Sequence, residues 1–201
     1  MKQHKLSLWC PFCGQSELWG GTALLPDGRM ELLVTCPSCM PTREAPIMHI
    51  LVASSDESVE ALMMQGFSNN EFWRNLKAKG GRCPACGAAL EFAFDQLDDI
   101  LRPGVIQRRI GWRCPQCGTG VDCALSGYCL GFKEVRDFWQ RHARLQVLGD
   151  EATSFQGRHA CAVRFGSQQA VLTIYVDYDT LELLGTKVKP NLCPNSPPST
   201  S

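Results

Sequence analysis

The chain has 201 residues, 44% hydrophobic and 20% charged, with 20 basic and 20 acidic side chains. These values fit one ordinary globular domain or two small ones and exclude wholesale disorder. They also remove the simplest case for a nucleic-acid binder, a strongly basic chain.

The opening "MKQHKLSLWCPF" holds no seven-residue apolar core before Cys10, so it does not read as a secretory signal. No apolar run approaches the roughly 20 residues that span a bilayer. The expectation is a soluble, cytoplasmic protein with no membrane contact, whose thiols stay reduced and free to hold metal. Twelve cysteines are present, and eight fall into four C-P-x-C pairs: Cys10/Cys13, Cys36/Cys39, Cys83/Cys86 and Cys114/Cys117. Gly14, Gly87 and Gly118 follow three of the pairs, and Met40 follows the second.

The spacing has a chemical purpose. Two residues between cysteines let both thiolates face one ion from a tight turn. Proline after the first cysteine fixes φ and removes an amide donor. The glycine permits the positive φ that turns backbone amides toward the sulfurs. Two such turns build a tetrahedral four-sulfur site, which favours Zn2+ as a closed structural ion. Pairing in sequence order gives Cys10, Cys13, Cys36 and Cys39 for one site, and Cys83, Cys86, Cys114 and Cys117 for the other.

The insertions between paired turns are 22 and 27 residues long, each with room for a short hairpin. In the first, Asp27-Gly28 is a hairpin turn signal between "ELWGGTALL" and "MELLV". In the second, "LEFAF" places Leu90, Phe92 and Phe94 on one face, then an Arg-Pro-Gly turn leads into "VIQRRIGW". Each half resembles the zinc ribbon, two metal knuckles joined by β-hairpins, over roughly residues 5–53 and 81–122. The resemblance implies metal and fold and says little about activity; its spacing favours zinc over iron–sulfur ligation. Cys10-Pro11-Phe12-Cys13 alone is similar to a glutaredoxin redox pair. That motif should open a helix, however, and Gly14 with "QSE" opens one poorly.

Between the ribbons, Ser54 three residues before Glu57 makes a capping box that opens a helix with Val59, Leu62 and Met63 on its apolar face. A second short helix follows from Ser68 and Glu71, with Phe72, Trp73 and Leu76 at helical spacing, and Gly80-Gly81 stop it. After the second ribbon, "FKEVRDFWQRHARLQVL" sets Val135, Phe138, Trp139, His142 and Leu145 on one side of a third helix. Lys133, Arg136, Arg141 and Arg144 take the other. "RHACAVRF" and "AVLTIYVDY" then read as two strands around a turn, with a third at "LELLG". The fold class is therefore α+β, divided as ribbon 1 (1–53), helical connector (54–80), ribbon 2 (81–131), helix plus C-terminal hairpin or small sheet (132–189) and a disordered tail (190–201). Trp73, Phe138 and Trp139 are expected to knit these pieces together.

Cys123 and Cys129 follow the fourth knuckle too widely spaced for a knuckle of their own. They read as small buried hydrophobes, with replacement ligation of the second site as the alternative. Cys161 reads as core and Cys193 as an exposed tail residue. The four histidines show no ligand spacing, and no nucleophile–base pair or general acid/base pair can be argued, so no enzyme and no small-molecule substrate is expected.

Charge is uneven along the chain. From Leu101 to Leu145 stand eight basic residues against three acidic ones, a net of +5. Arg108, Arg109 and Arg113 flank Trp112, and guanidinium groups beside an indole suit phosphates and an unpaired base. One expectation is a non-enzymatic zinc-ribbon subunit of a nucleic-acid complex, with those four residues as the contact edge. The other is an adaptor whose ribbons and C-terminal hairpin bind another protein. The plain alternative for the basic patch itself is a solvated charged face with Trp112 in the core.

Overall fold

The computed structural model describes residues 3–39, 48–53, 56–68, 81–83, 85–98 and 106–191. It is a mixed architecture of the α+β kind, with three antiparallel sheets and few helices. The first sheet is a four-stranded meander, β1 (His4–Trp9), β2 (Glu17–Leu24), β3 (Arg29–Thr35) and β4 (Met48–Ala53), in the order β1-β2-β3-β4. The Asp27-Gly28 hairpin forms where the sequence places it, with Leu24 opposite Met30. Gly28 adopts φ 80°, and the Asp27 carboxylate accepts from the Arg29 amide at 3.0 Å and from its Nε at 2.7 Å.

Helix α1 (Val59–Ser68) lies across this sheet and buries Val59, Leu62 and Met63, the face its spacing implies, together with Met64 and Phe67. Close approach depends on Gly20, where an added Cβ would stand 2.6 Å from Val59 Cγ1. The helix starts at Val59, later than expected, and Ser58 Oγ accepts the Ala61 amide at 3.2 Å. A serine immediately before the apolar stripe satisfies an orphan donor of the first turn. Several expectations lie outside the described residues: Ser54, the helix after Ser68 with Trp73, the Arg-Pro-Gly turn at 102–104, the side chains of Phe94 and Cys123, and the tail with Cys193.

The second sheet joins β5 (Glu91–Asp98), β6 (Ile106–Arg113) and β7 (Gly120–Ala124), with β6 central. A short helix missed by the sequence reading, α2 (Leu125–Cys129), continues directly from β7. It touches β6 and β7 on one side and the third sheet on the other. Its Tyr128 hydroxyl donates to the Leu181 carbonyl at 3.0 Å, and Tyr128 meets Phe132 edge-on at 5.5 Å.

Helix α3 (Lys133–His142) buries Val135, Phe138 and Trp139, and Trp139 faces Phe67 of α1 with centroids 5.9 Å apart. The expected continuation to Leu148 does not occur. Ala143 turns left-handed at φ 53°, and Gln146 begins a ten-residue strand, β8 (Gln146–Phe155). Leu145 is buried, but from the turn and not from the helix. The C-terminal unit is accordingly a four-stranded sheet, with β9 (Arg158–Gly166), β10 (Ala170–Asp177) and β11 (Leu183–Pro190), ordered β11-β10-β9-β8. β11 ends at Pro190, the first residue of the expected tail.

One large apolar cluster runs through the first sheet, α1, α2, α3 and the third sheet. A separate small one contains Cys83, Leu90, Trp112 and Cys114. Among the described residues no helix is long and apolar enough to cross a membrane.

The second and third sheets meet at a carboxylate. Asp150 of β8, its side chain fully buried, accepts the Arg108 backbone amide of β6 at 2.8 Å and lies 3.4 Å from Arg108 Nε. Burial raises the Asp150 pKa, against the pull of the Arg108 amide and guanidinium. A raised folded pKa means the group's contribution to stability is complete below the unfolded value near 4 and fades as pH rises through the folded one. Asp150→Asn, which keeps an acceptor for the Arg108 amide, should remove that pH dependence from urea-unfolding curves at modest cost. Asp150→Ala should cost about 2–4 kcal/mol by leaving buried donors unpaired. Equal stability of the two variants would refute the assignment.

Candidate metal centres

The site begins with turns. Cys10, Cys83 and Cys114 each donate a backbone amide forward, to Ser16, Ala88 and Thr119, all at 2.8 Å. Their own carbonyls accept from Gly14 at 2.9 Å, Gly87 at 2.8 Å and Gly118 at 2.9 Å. Those glycines have φ of 64°, 74° and 74°, a conformation that penalises a side chain. The recurring residue pattern is thus a recurring backbone shape. It aims amides at sulfur: Gln15 N stands 3.5 Å from Cys13 Sγ, and Cys39 N stands 3.4 Å from Cys36 Sγ.

The sheets bring these turns together in pairs. Cys10, Cys13, Cys36 and Cys39 form one tetrad, and Cys83, Cys86, Cys114 and Cys117 form another. Within each, all four sulfurs lie within 4.8 Å of one another. The nearest pairs are Cys10–Cys39 and Cys13–Cys36, both 3.6 Å, Cys83–Cys117 at 3.6 Å and Cys86–Cys114 at 3.4 Å. Metal–sulfur bonds of about 2.3 Å in tetrahedral coordination set sulfurs about 3.8 Å apart. The donor set and its spacing therefore fit a metal ion in each tetrad.

Proton balance points the same way. The Cys39 thiol and burial push Cys10 strongly upward, and burial raises Cys36 to about 11. Cys117 goes the other way, to about 6, because the hydroxyl and backbone of Thr119 stabilise its thiolate. Four adjacent sulfurs cannot all ionise without a cation between them. A divalent ion removes that conflict and deprotonates its ligands.

The two tetrads sit in different surroundings. The first belongs to the large core: Cys10 and Cys36 are fully buried, and Cys13 and Cys39 are 9% exposed. The turn between α3 and β8 straps its first knuckle. Arg144 donates through Nε (3.0 Å) and Nη2 (2.6 Å) to the Gly14 carbonyl, with its guanidinium 4.5 Å over the Trp9 ring. Val147 N bonds the Pro11 carbonyl at 2.8 Å, and Trp9 N bonds that of Ala143 at 3.1 Å. Among the described residues the second tetrad leans on Leu90, Trp112 and the edge of Ala88, and Cys86 and Cys117 are exposed.

The arginine–tryptophan edge is split by strand alternation. Arg108, Ile110 and Trp112 share one face of β6, and Arg109 and Arg113 the other. Trp112 is 6% exposed, packed beside Cys83 and Cys114. Arg108 turns to Asp150 and to Tyr178, whose hydroxyl is 3.4 Å from its Nη1. On the opposite face Arg113 is exposed, standing across from Glu91, and Arg109 stands across from Asp95. The basic side of α3 is engaged locally: Lys133 pairs with Asp137, Arg136 bonds the Gly131 carbonyl, and Arg141 bonds that of Asp137. Cys129 is buried in the main core, outside both tetrads. Cys161 is also buried, 3.8 Å from Asp150 Oδ1, and burial holds its thiol up at about 12.

No family model, curated protein or solved structure matches the chain.

Trp112→Ala should destabilise the second sheet by about 3–5 kcal/mol, as for a buried aromatic. Limited proteolysis should then cut within residues 85–120 first and spare the first sheet. An unchanged cleavage pattern would mean that Trp112 packs against nothing essential.

Proposed function

We propose that the chain is a non-enzymatic zinc-ribbon protein whose two tetrads each hold one structural Zn2+, and that it serves as an adaptor for a protein partner. The observation that carries the metal reading is the pair of four-cysteine tetrads at tetrahedral spacing. Closed four-sulfur coordination is characteristic of structural zinc and leaves no position for a catalytic water. Support for ribbons comes from the arrangement: within each tetrad, amide-lined turns lie at the ends of antiparallel strands.

The choice between partners turns on the basic residues. Arg108 and Trp112 face inward, Arg144 straps the first knuckle, and Arg109 and Arg113 stand opposite carboxylate residues. A continuous phosphate-binding edge would need those groups together on one open face, and this favours the adaptor. The nucleic-acid reading retains Arg82 and Arg113, both exposed beside the second tetrad.

Elemental analysis after reducing, chelator-free purification should give two zinc ions per chain. Replacing Cys83 and Cys86 together by serine should leave one and open the second sheet to proteolysis. Replacing Cys129 should cost none. On single-stranded DNA or heparin the protein should show no steep salt-dependent retention. A slope of several log units that falls in the Arg82→Ser/Arg113→Ser variant would establish the nucleic-acid reading instead.

A further inference from the structure

The two tetrads have the same ligands and nearly the same sulfur spacings, yet opposite access to solvent. Every sulfur of the first belongs to a buried residue within the main core. In the second, buried and exposed cysteines alternate: Cys83 and Cys114 are covered, while Cys86 and Cys117 are open. Each exposed cysteine also has a buried one as near neighbour across the site, with the sulfurs of Cys117 and Cys83 3.6 Å apart and those of Cys86 and Cys114 3.4 Å apart. That is the layout of an attacking thiolate with a resolving partner, present twice.

We propose that the second tetrad is an oxidation site for hydroperoxides, whose product is a pair of disulfides, Cys83–Cys117 and Cys86–Cys114, and a vacated metal position, while the first tetrad is protected. The inference rests on the reading that both tetrads hold zinc. The thiolate of Cys117, an exposed residue, attacks one peroxide oxygen; the O–O bond breaks, the sulfur becomes a sulfenic acid, and hydroxide leaves. The Cys83 thiolate then attacks that sulfur, the S–S bond forms, and a second hydroxide departs. Two thiolates have lost an electron pair, and one hydrogen peroxide has gained it. Two of four ligands are spent, and the remaining pair cannot close a tetrahedral shell. Cys86 and Cys114 repeat the step with a second peroxide.

The first tetrad is spared by packing, since its thiolates have the same chemistry. Peroxide must reach a sulfur in line, and the first tetrad's four cysteines are buried, in a site whose first knuckle the Arg144–Gly14 bonds and the Trp9 and Val147 backbone bonds hold against the α3–β8 turn. The same strap joins the first knuckle to α3 and β8, whereas the second knuckle pair, among the described residues, has its own small cluster for cover.

The experiment uses the full chain with its metal content established beforehand. Hydrogen peroxide is added in steps, free zinc is followed with a chromogenic chelator, and disulfides are mapped by peptide mass spectrometry without reduction. One zinc per chain should leave first, with cross-links confined to Cys83–Cys117 and Cys86–Cys114. The other should leave at least roughly tenfold more slowly, in keeping with control of thiol oxidation by exposure. Arg144→Gln should speed the slow release several-fold and leave the fast one unchanged. Thiol reductant with added zinc should restore two ions. Fewer than two zinc ions before oxidation would sink the zinc reading itself. With two present, parallel loss of both ions, first cross-links among Cys10 to Cys39, or an Arg144→Gln variant with unaltered kinetics would overturn the proposal alone.

Discussion

Four sulfur atoms within 4.8 Å impose the constraint from which the rest of this protein follows. Such a group is unstable as four charges and weak as four neutral thiols, so a small apolar interior has little reason to assemble it. A tetrahedral cation reverses that balance, contributing on the order of 10–16 kcal/mol of apparent binding energy in small zinc peptides. With an ion in each tetrad the sheets can be short, because coordination would fix their ends in addition to apolar burial. The second sheet illustrates this. Its own cluster comprises two cysteines with Leu90 and Trp112, too little apolar surface to hold three strands alone.

From that constraint the two halves diverge. The first sheet carries α1 on one face and meets the α3–β8 turn at its knuckle, so its tetrad became part of a larger core. The second sheet connects to the body through α2, through Ile110, which is buried in the main core, and through Asp150, a buried carboxylate that serves the Arg108 amide in place of a strand neighbour. Equal ligand sets therefore carry unequal mechanical roles. One ion would be cemented into a core, and the other would hold together a unit with only a small cluster of its own among the described residues.

What was legible in the sequence follows from how local each signal is. The knuckles were legible because C-P-x-C-Gly encodes its shape within five residues, and the Asp27-Gly28 turn for the same reason. The apolar faces of α1 and α3 were legible from 3.6-residue periodicity. Strand β8 was not: "LQVL" continues the spacing of α3 well enough to extend it. What ends the helix is Ala143 in a left-handed conformation, stabilised by Arg144 reaching residue 14. No window of local sequence contains that contact. The cap at Ser58 was obscured by a second capping pattern at Ser54, and α2 by its five-residue length.

The arginine cluster shows the limit from another side. A count of charges treats Arg108, Arg109, Trp112 and Arg113 as one patch, but a strand distributes neighbours to opposite faces. Once β6 is the central strand of its sheet, alternation alone separates Arg108 and Trp112 from Arg109 and Arg113. Cross-strand register then sets Glu91 and Asp95 opposite the outer pair. The net charge of a segment is therefore an upper bound on its field, reached only when its residues share a face. In this chain the buried Asp150, forty-two residues from Arg108, accounts for one of those charges. It converts what looked like a ligand contact into the joint between two sheets.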